Sequence, residues 1–164
     1  MIAARLLVWL MALPVLHDGH GADIPRPERE ALVIANAAAE TEQPQFWAGI
    51  LDVFAAYESG YGPATIAGGC PGVPVGVPCK REQGARYCGA WMTECRRVPH
   101  GATLLDEARV AIAMMRESFS ACPEHPFGQF AGVGCRAHPL TDFRAAAVRR
   151  EMAVSLPPAD EVTP

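Results

Sequence analysis

Apolar residues recur along this chain at intervals of three and four, the spacing of one face of a helix. The clearest run ends at residue 58: Phe46, Ile50, Val53 with Phe54, and Tyr57 share a face. Ahead of it, Ala31, Ile34, Ala35 and Ala38 form a stripe that predicts a helix from about Glu28 to Glu40. Pro25-Arg26-Pro27 precedes that helix, and Gln43-Pro44 breaks it from the next. Leu104, Ala108, Ile112, Met115 and Phe119 repeat over a third helix, Leu104 to Ser120. Thr103 stands where an N-cap belongs, with Asp106 placed to complete a capping-box-like pair. Met114 and Met115 read as core filler. Thr141-Asp142 opens a last helix through Met152, with Phe143, Ala147 and Val148 turned inward. Residues 60–88 break the pattern, holding Gly and Pro at a density that no long helix tolerates. Val73, Val75 and Val77 alternate there with Pro and Gly, as an edge-like ribbon would. The expected fold class is mainly α, a helical domain with an irregular Gly/Pro/Cys-rich loop or small β-hairpin inserted.

The two ends read differently. Arg5 precedes the apolar run Leu6 to Leu16, and small residues follow at Gly19, Gly21 and Ala22. That is the plan of a signal peptide over residues 1–22; a first helix packed on the core is the alternative. His17-Asp18-Gly19-His20 has no supporting ligand cluster, so no metal is expected, and no cofactor. Leu156 to Pro164 carries three prolines and reads as a frayed tail, leaving a domain at 28–153 and a disordered end at 154–164.

Composition narrows the function. A chain of 164 residues, half of them hydrophobic, is one domain with one core. No stretch reaches the roughly 18 apolar residues of a membrane span, so no stable span is expected once a leader is removed. A formal charge of −4 argues against non-specific nucleic-acid binding. The balance reverses locally, where Lys80, Arg81, Arg86, Arg96 and Arg97 face only Glu82 and Glu94.

All six cysteines lie between Cys70 and Cys135, and none forms a Cys-x2-Cys pair. Cysteine-flanked loops fit an oxidising compartment, so periplasmic or extracellular export is expected. Six cysteines allow fifteen pairings, which sequence does not resolve. Cys70–Cys79 and Cys122–Cys135 are the pairs expected first, because each would close a Gly/Pro-containing loop. Cys88–Cys95 would be the third.

One carboxylate is placed for chemistry. Glu58 follows the apolar face of its helix and precedes Ser59-Gly60-Tyr61. In the last turn it meets the negative end of the helix dipole and is partly desolvated; both effects raise a carboxyl pKa. A general acid working near neutral pH needs that. Downstream stand Tyr87-Cys88-Gly89-Ala90-Trp91-Met92-Thr93 and Phe127-Gly128-Gln129-Phe130-Ala131-Gly132, on either side of the third helix. In this order the segments resemble the lysozyme-like superfamily, specifically lytic transglycosylases and goose-type lysozymes, over about residues 44–150. Glu58 and Ser59 match the Glu-Ser motif. Gly89, Ala90 and Trp91 match the opening of the Gly-Leu-Met-Gln-type turn, with Met92 where Gln is usual. Phe130, Ala131 and Gly132 align with the Tyr-Asn-Gly turn, without its tyrosine hydroxyl.

The resemblance implies an α+β lysozyme-like fold and a peptidoglycan glycan strand as partner. Glu58 would be the catalytic acid and base. Ser59, Gly89, Ala90, Trp91, Met92 and Phe130 would line the substrate, with the Trp91 ring under a sugar face. Glu58 would protonate the bond between N-acetylmuramic acid and N-acetylglucosamine, the substrate's acetamido group would stabilise the cation, and Glu58 would then deprotonate the muramyl C6 hydroxyl. That scheme needs no second carboxylate. Asp52, Glu82 and Glu94 are the candidates for one, and Asp52 falls on nearly the opposite face of the helix from Glu58. The alternative is a catalytically inactive wall-binding module on the same scaffold.

Overall fold

The computed structural model describes residues 1–18, 20–59, 87–91, 93–99 and 101–159. Their elements are α1 (Ile2–Ala12), β1 (Leu16–His17), β2 (Asp23–Ile24), α2 (Glu28–Ala39), α3 (Pro44–Ser59), β3 (Tyr87–Cys88), β4 (Thr93–Glu94), α4 (Leu104–Ala121) and α5 (Pro139–Met152), with a 3-10 turn at Cys95–Arg97. The mainly helical class is what the periodicity predicts. Among the described residues, strand is confined to two short antiparallel pairs, β1 with β2 and β3 with β4.

Helix α3 is the centre. Every residue from Trp47 to Ala56 is buried, which is what a helix apolar on all sides requires. It packs against α1, α2, α4 and α5. The α2 stripe of Ala31, Ile34, Ala35 and Ala38 is buried throughout, and the small side chains let the helices approach closely. Along α4, Ala108, Ile112 and Met115 are buried, with Leu104 and Phe119 packed at the edge of the core. Its start carries the expected capping box: Asp106 N–H donates to Thr103 Oγ1, and Thr103 N–H donates to the Asp106 carboxylate.

The apolar run read as a leader forms α1 and joins this core. Leu6, Trp9 and Leu10 are buried, as are Leu13 and Leu16 beyond the helix. Trp9 Nε1 donates to the Val154 carbonyl at 2.9 Å and Arg5 Nε to that of Pro157 at 2.7 Å. The chain from Val154 to Pro157, expected to fray, is therefore docked on α1. Residues 13–24 form a hairpin. Asp18 Oδ1 accepts from the N–H groups of His20 and Ala22, so this Asp caps a turn, and His17 pairs with Asp23 across the strands.

Helix α5 begins two residues earlier than Thr141. Pro139 occupies its first turn, and His138 accepts from Leu140 N–H as the cap. Ala147 and Val148 point inward as expected, but Phe143 is 43% exposed and Arg144 takes the buried place. The inward positions are Thr141, Arg144, Ala147, Val148 and Glu151, so two charged residues lie on the face that meets α3.

Both are paired there. On one side of α3, the Arg26 guanidinium donates to the two Asp52 oxygens at 2.5 and 2.6 Å, to the Leu10 carbonyl at 2.9 Å and to Glu151 Oε1 at 3.4 Å. Burial, reinforced by the neighbouring Asp52 carboxylate, pushes the Glu151 carboxyl up to about 10. This cluster joins α1, α2's lead-in, α3 and α5.

Candidate functional site

The C-terminal end of α3 carries Glu58. Phe54 and Glu58 are one turn apart and share a face, and Leu51 lies two turns before Glu58 on nearly the same line. Arg144 reaches across from α5. Its Nη2 donates to Glu58 Oε1 at 2.6 Å, and its guanidinium carbon lies 5.0 Å from the centre of the Phe54 ring, a cation–π stack. The Phe54 ring meets Phe127 at 5.1 Å and the edge of Phe130 at 5.3 Å. Ser118 of α4 fixes the segment carrying those two rings: its hydroxyl donates to the Pro126 carbonyl and accepts from Phe130 N–H. Glu58, Arg144, Phe54, Phe127 and Phe130 thus gather at the C-terminal end of α3.

The Glu58 side chain is 19% exposed and that of Arg144 5%. Burial pushes the Glu58 carboxyl above its ordinary range, against the pull of Arg144. Burial likewise draws Arg144 below the ordinary arginine value, against the pull of Glu58. Each group is desolvated more than its partner compensates. Among the described residues, the buried Arg144 Nε and Nη1 donors have no hydrogen-bond partner.

The remaining sequence-predicted residues divide. Ser59 Oγ donates back to the Ala55 carbonyl at 2.7 Å, a contact within the helix. Gly89 sits at φ +77° in the turn between β3 and β4, and a Cβ there would fall 2.2 Å from Glu107 Oε2. Both the left-handed backbone and the approach to α4 require glycine. Ala90 and Trp91 follow into the core. Trp91 is 1% exposed, and its Nε1 donates to the Leu51 carbonyl at 2.8 Å. The ring therefore braces α3 two turns below Glu58; it offers no open face to a sugar. Met92 lies outside the described residues. Phe130 is half-buried beside Phe54. Asp52 is committed to Arg26, and Glu94 to Arg96 and Arg97. Glu82 lies outside the described residues. So do Lys80, Arg81 and Arg86 of the basic segment, while Arg97 also pairs with Glu117. No tyrosine hydroxyl among the described residues hydrogen-bonds Glu58; Tyr57 instead packs edge-on to Phe143.

Cys122 and Cys135 form a disulfide with Cα atoms 4.9 Å apart, closing the loop that carries Phe127 and Phe130. Cys70 and Cys79, and the side chains of Cys88 and Cys95, lie outside the described residues. Among the described residues no cluster of three or more His, Cys, Asp or Glu could hold a metal ion, and no helix is long and apolar enough to cross a membrane.

Sequence reasoning missed Arg144 and Glu151. Their signal was present: Arg144, Ala147, Val148 and Glu151 repeat at i, i+3, i+4 and i+7, one helical face. Comparisons with protein-family models, with curated proteins and with solved structures find no match.

Proposed function

We propose that the chain is a lysozyme-like, peptidoglycan-cleaving lytic transglycosylase with Glu58 as its single acid and base. The observation that carries the reading is the place of Glu58: at the end of the central helix, largely buried yet still reached by solvent, with its carboxyl held above the ordinary range. Such a group can be protonated near neutral pH and deliver its proton to a glycosidic oxygen. The engagement of Asp52 by Arg26 suits a scheme with one carboxylate. In that scheme the acetamido oxygen of the substrate replaces the second carboxylate, and the muramyl C6 hydroxyl attacks to give a 1,6-anhydro product. The Cys122–Cys135 disulfide supports an oxidising, exported setting, periplasmic or extracellular.

The ion pair with Arg144 favours a second reading, a wall-binding module without catalysis, because a paired carboxylate resists protonation. One experiment separates the two. Purified wild type and Glu58→Gln are incubated with peptidoglycan, and soluble products are identified by mass. The lyase reading expects anhydro-muropeptides from wild type and a loss of about 10²–10⁴-fold in Glu58→Gln, with binding to sacculi kept. Equal digestion by both proteins would show that the acid lies elsewhere. Binding without digestion by either would make the protein the module.

A further inference from the structure

The site contains a buried cation that the single-acid scheme does not use. Arg144 lies on the inward face of α5, over the Phe54 ring, and reaches Glu58 through Nη2. The remaining polar capacity of its guanidinium, Nε and Nη1, finds no partner. A buried guanidinium with two idle donors is expensive to keep and gains little stability for the fold. Leucine or methionine would fill the same space between α5 and the Phe54 ring at less cost.

We propose that Arg144 is the positioning residue of the Glu58 site: it anchors Oε1 so that Oε2 is turned to the ligand, and it supplies the positive charge beside the carboxylate once the proton has left. The inference rests on the reading of Glu58 as the acid. Three geometric points carry it. The contact is made through a single guanidinium nitrogen, Nη2, whose nearest carboxylate oxygen is Oε1. The guanidinium is fixed by stacking on Phe54, one helical turn before Glu58, so carboxyl and cation are held by the same helix face. The field on Glu58 comes from this cation: Arg144 is the charged group whose interaction bears on its titration, the α3 carboxylate Asp52 being paired with Arg26. From the remaining neighbours, Phe127 and Phe130 present only rings.

A cation beside a general acid has two opposing effects. It makes the proton easier to give, and it lowers the pH up to which the acid stays protonated. Removing Arg144 should therefore raise the Glu58 pKa, since burial then acts unopposed. The alkaline limb of any acid-dependent activity should move to higher pH. The rate at the optimum should fall by about 10²-fold, the cost of a misplaced group.

The test is carboxyl titration of Glu58 by NMR in the full chain, with Glu58→Gln used to assign the resonance. Arg144→Met and Arg144→Lys are compared with wild type, and circular dichroism confirms that each is folded. The expected result is a higher titration midpoint in Arg144→Met and an intermediate one in Arg144→Lys, which keeps the charge but loses the planar stack. Because Arg144→Met could lose structure, Arg144→Lys carries the test by itself if it does: its midpoint should still lie above wild type. An unchanged or lowered midpoint in the folded variants would overturn the proposal, whatever the wall assay gives. Failure of the glycan reading shows separately, as absence of anhydro product from wild type while the titration still responds to Arg144. On active protein, the pH profile of product release should move in the same direction as the NMR midpoint; a loss of rate with an unmoved profile would mean that Arg144 acts only on the fold.

Discussion

Replacing Trp9 by alanine tests whether α1 belongs to the working protein. Trp9 is 1% exposed, and the tip of its ring faces Gly49 at the middle of α3. Truncation to alanine empties a site between α1 and the central helix. Emptying a core site of this size costs about 3–5 kcal/mol. The lost indole hydrogen bond adds little, because the Val154 carbonyl also accepts from Gln45 Nε2 at 2.9 Å and stays satisfied. Against a total stability of roughly 5–15 kcal/mol, the variant should lose about a fifth or more of its margin. Its melting temperature should fall by on the order of 10 °C for a chain of this length. The assay is urea unfolding followed by circular dichroism, with intact mass confirming that residues 1–22 are present. Val8→Ala, on the exposed face of the same helix, is the control and should stay within about 0.5 kcal/mol. A Trp9→Ala midpoint equal to wild type would refute the packing argument and return residues 1–22 to the role of a leader.

Two further outcomes follow from the same packing. Cys122→Ser should cost about 3 kcal/mol, the usual value for a loop of this length, and full reduction of wild type should cost at least as much; equal midpoints for Cys122→Ser and wild type would show that the bridge does not hold the Phe127–Phe130 loop. Glu151 keeps its proton in the fold up to about pH 10 but releases it in the ordinary carboxylate range when unfolded. Its contribution is therefore fully present at low pH and is lost as pH rises through that window, so wild type should unfold at lower urea at pH 8 than at pH 5. Glu151→Gln, neutral at every pH, should flatten that dependence, and parallel curves for the two proteins would exclude Glu151 as its source.

The sequence carried the helices further than it carried the charges. The α2 stripe, the all-round apolar α3 and the Thr103–Asp106 capping box follow from local spacing, and they stand in the structure as read. The role of α1 was ambiguous for a physical reason: a signal core and a buried helix need the same dozen apolar residues, and only tertiary packing tells them apart. Phe143 and Arg144 were exchanged because hydrophobicity assigned the inward place to the ring. The partner that makes Arg144 burial tolerable, Glu58, lies on another helix far away in sequence. The same holds for Asp52. A lone acid inside an apolar helix announced a buried partner, but nothing in the spacing identified Arg26. At the candidate site, the position of Glu58 was legible from its helix end, whereas Trp91, read as a sugar platform, serves as a brace whose indole is bonded to the Leu51 carbonyl.

The seam between α1 and the segment after α5 has a consequence in time. Its hydrogen bonds join residues 145 and 152 positions apart. On a ribosome adding about 5–20 residues per second, the partner carbonyls emerge on the order of ten seconds after α1 does. Throughout that delay α1 is an apolar helix whose last contacts have yet to be made. Any factor that recognises short apolar helices meets it during synthesis, and the finished fold withdraws the same surface. The ambiguity between leader and core helix is thus also a competition between two rates, capture of the nascent helix and completion of the chain that buries it.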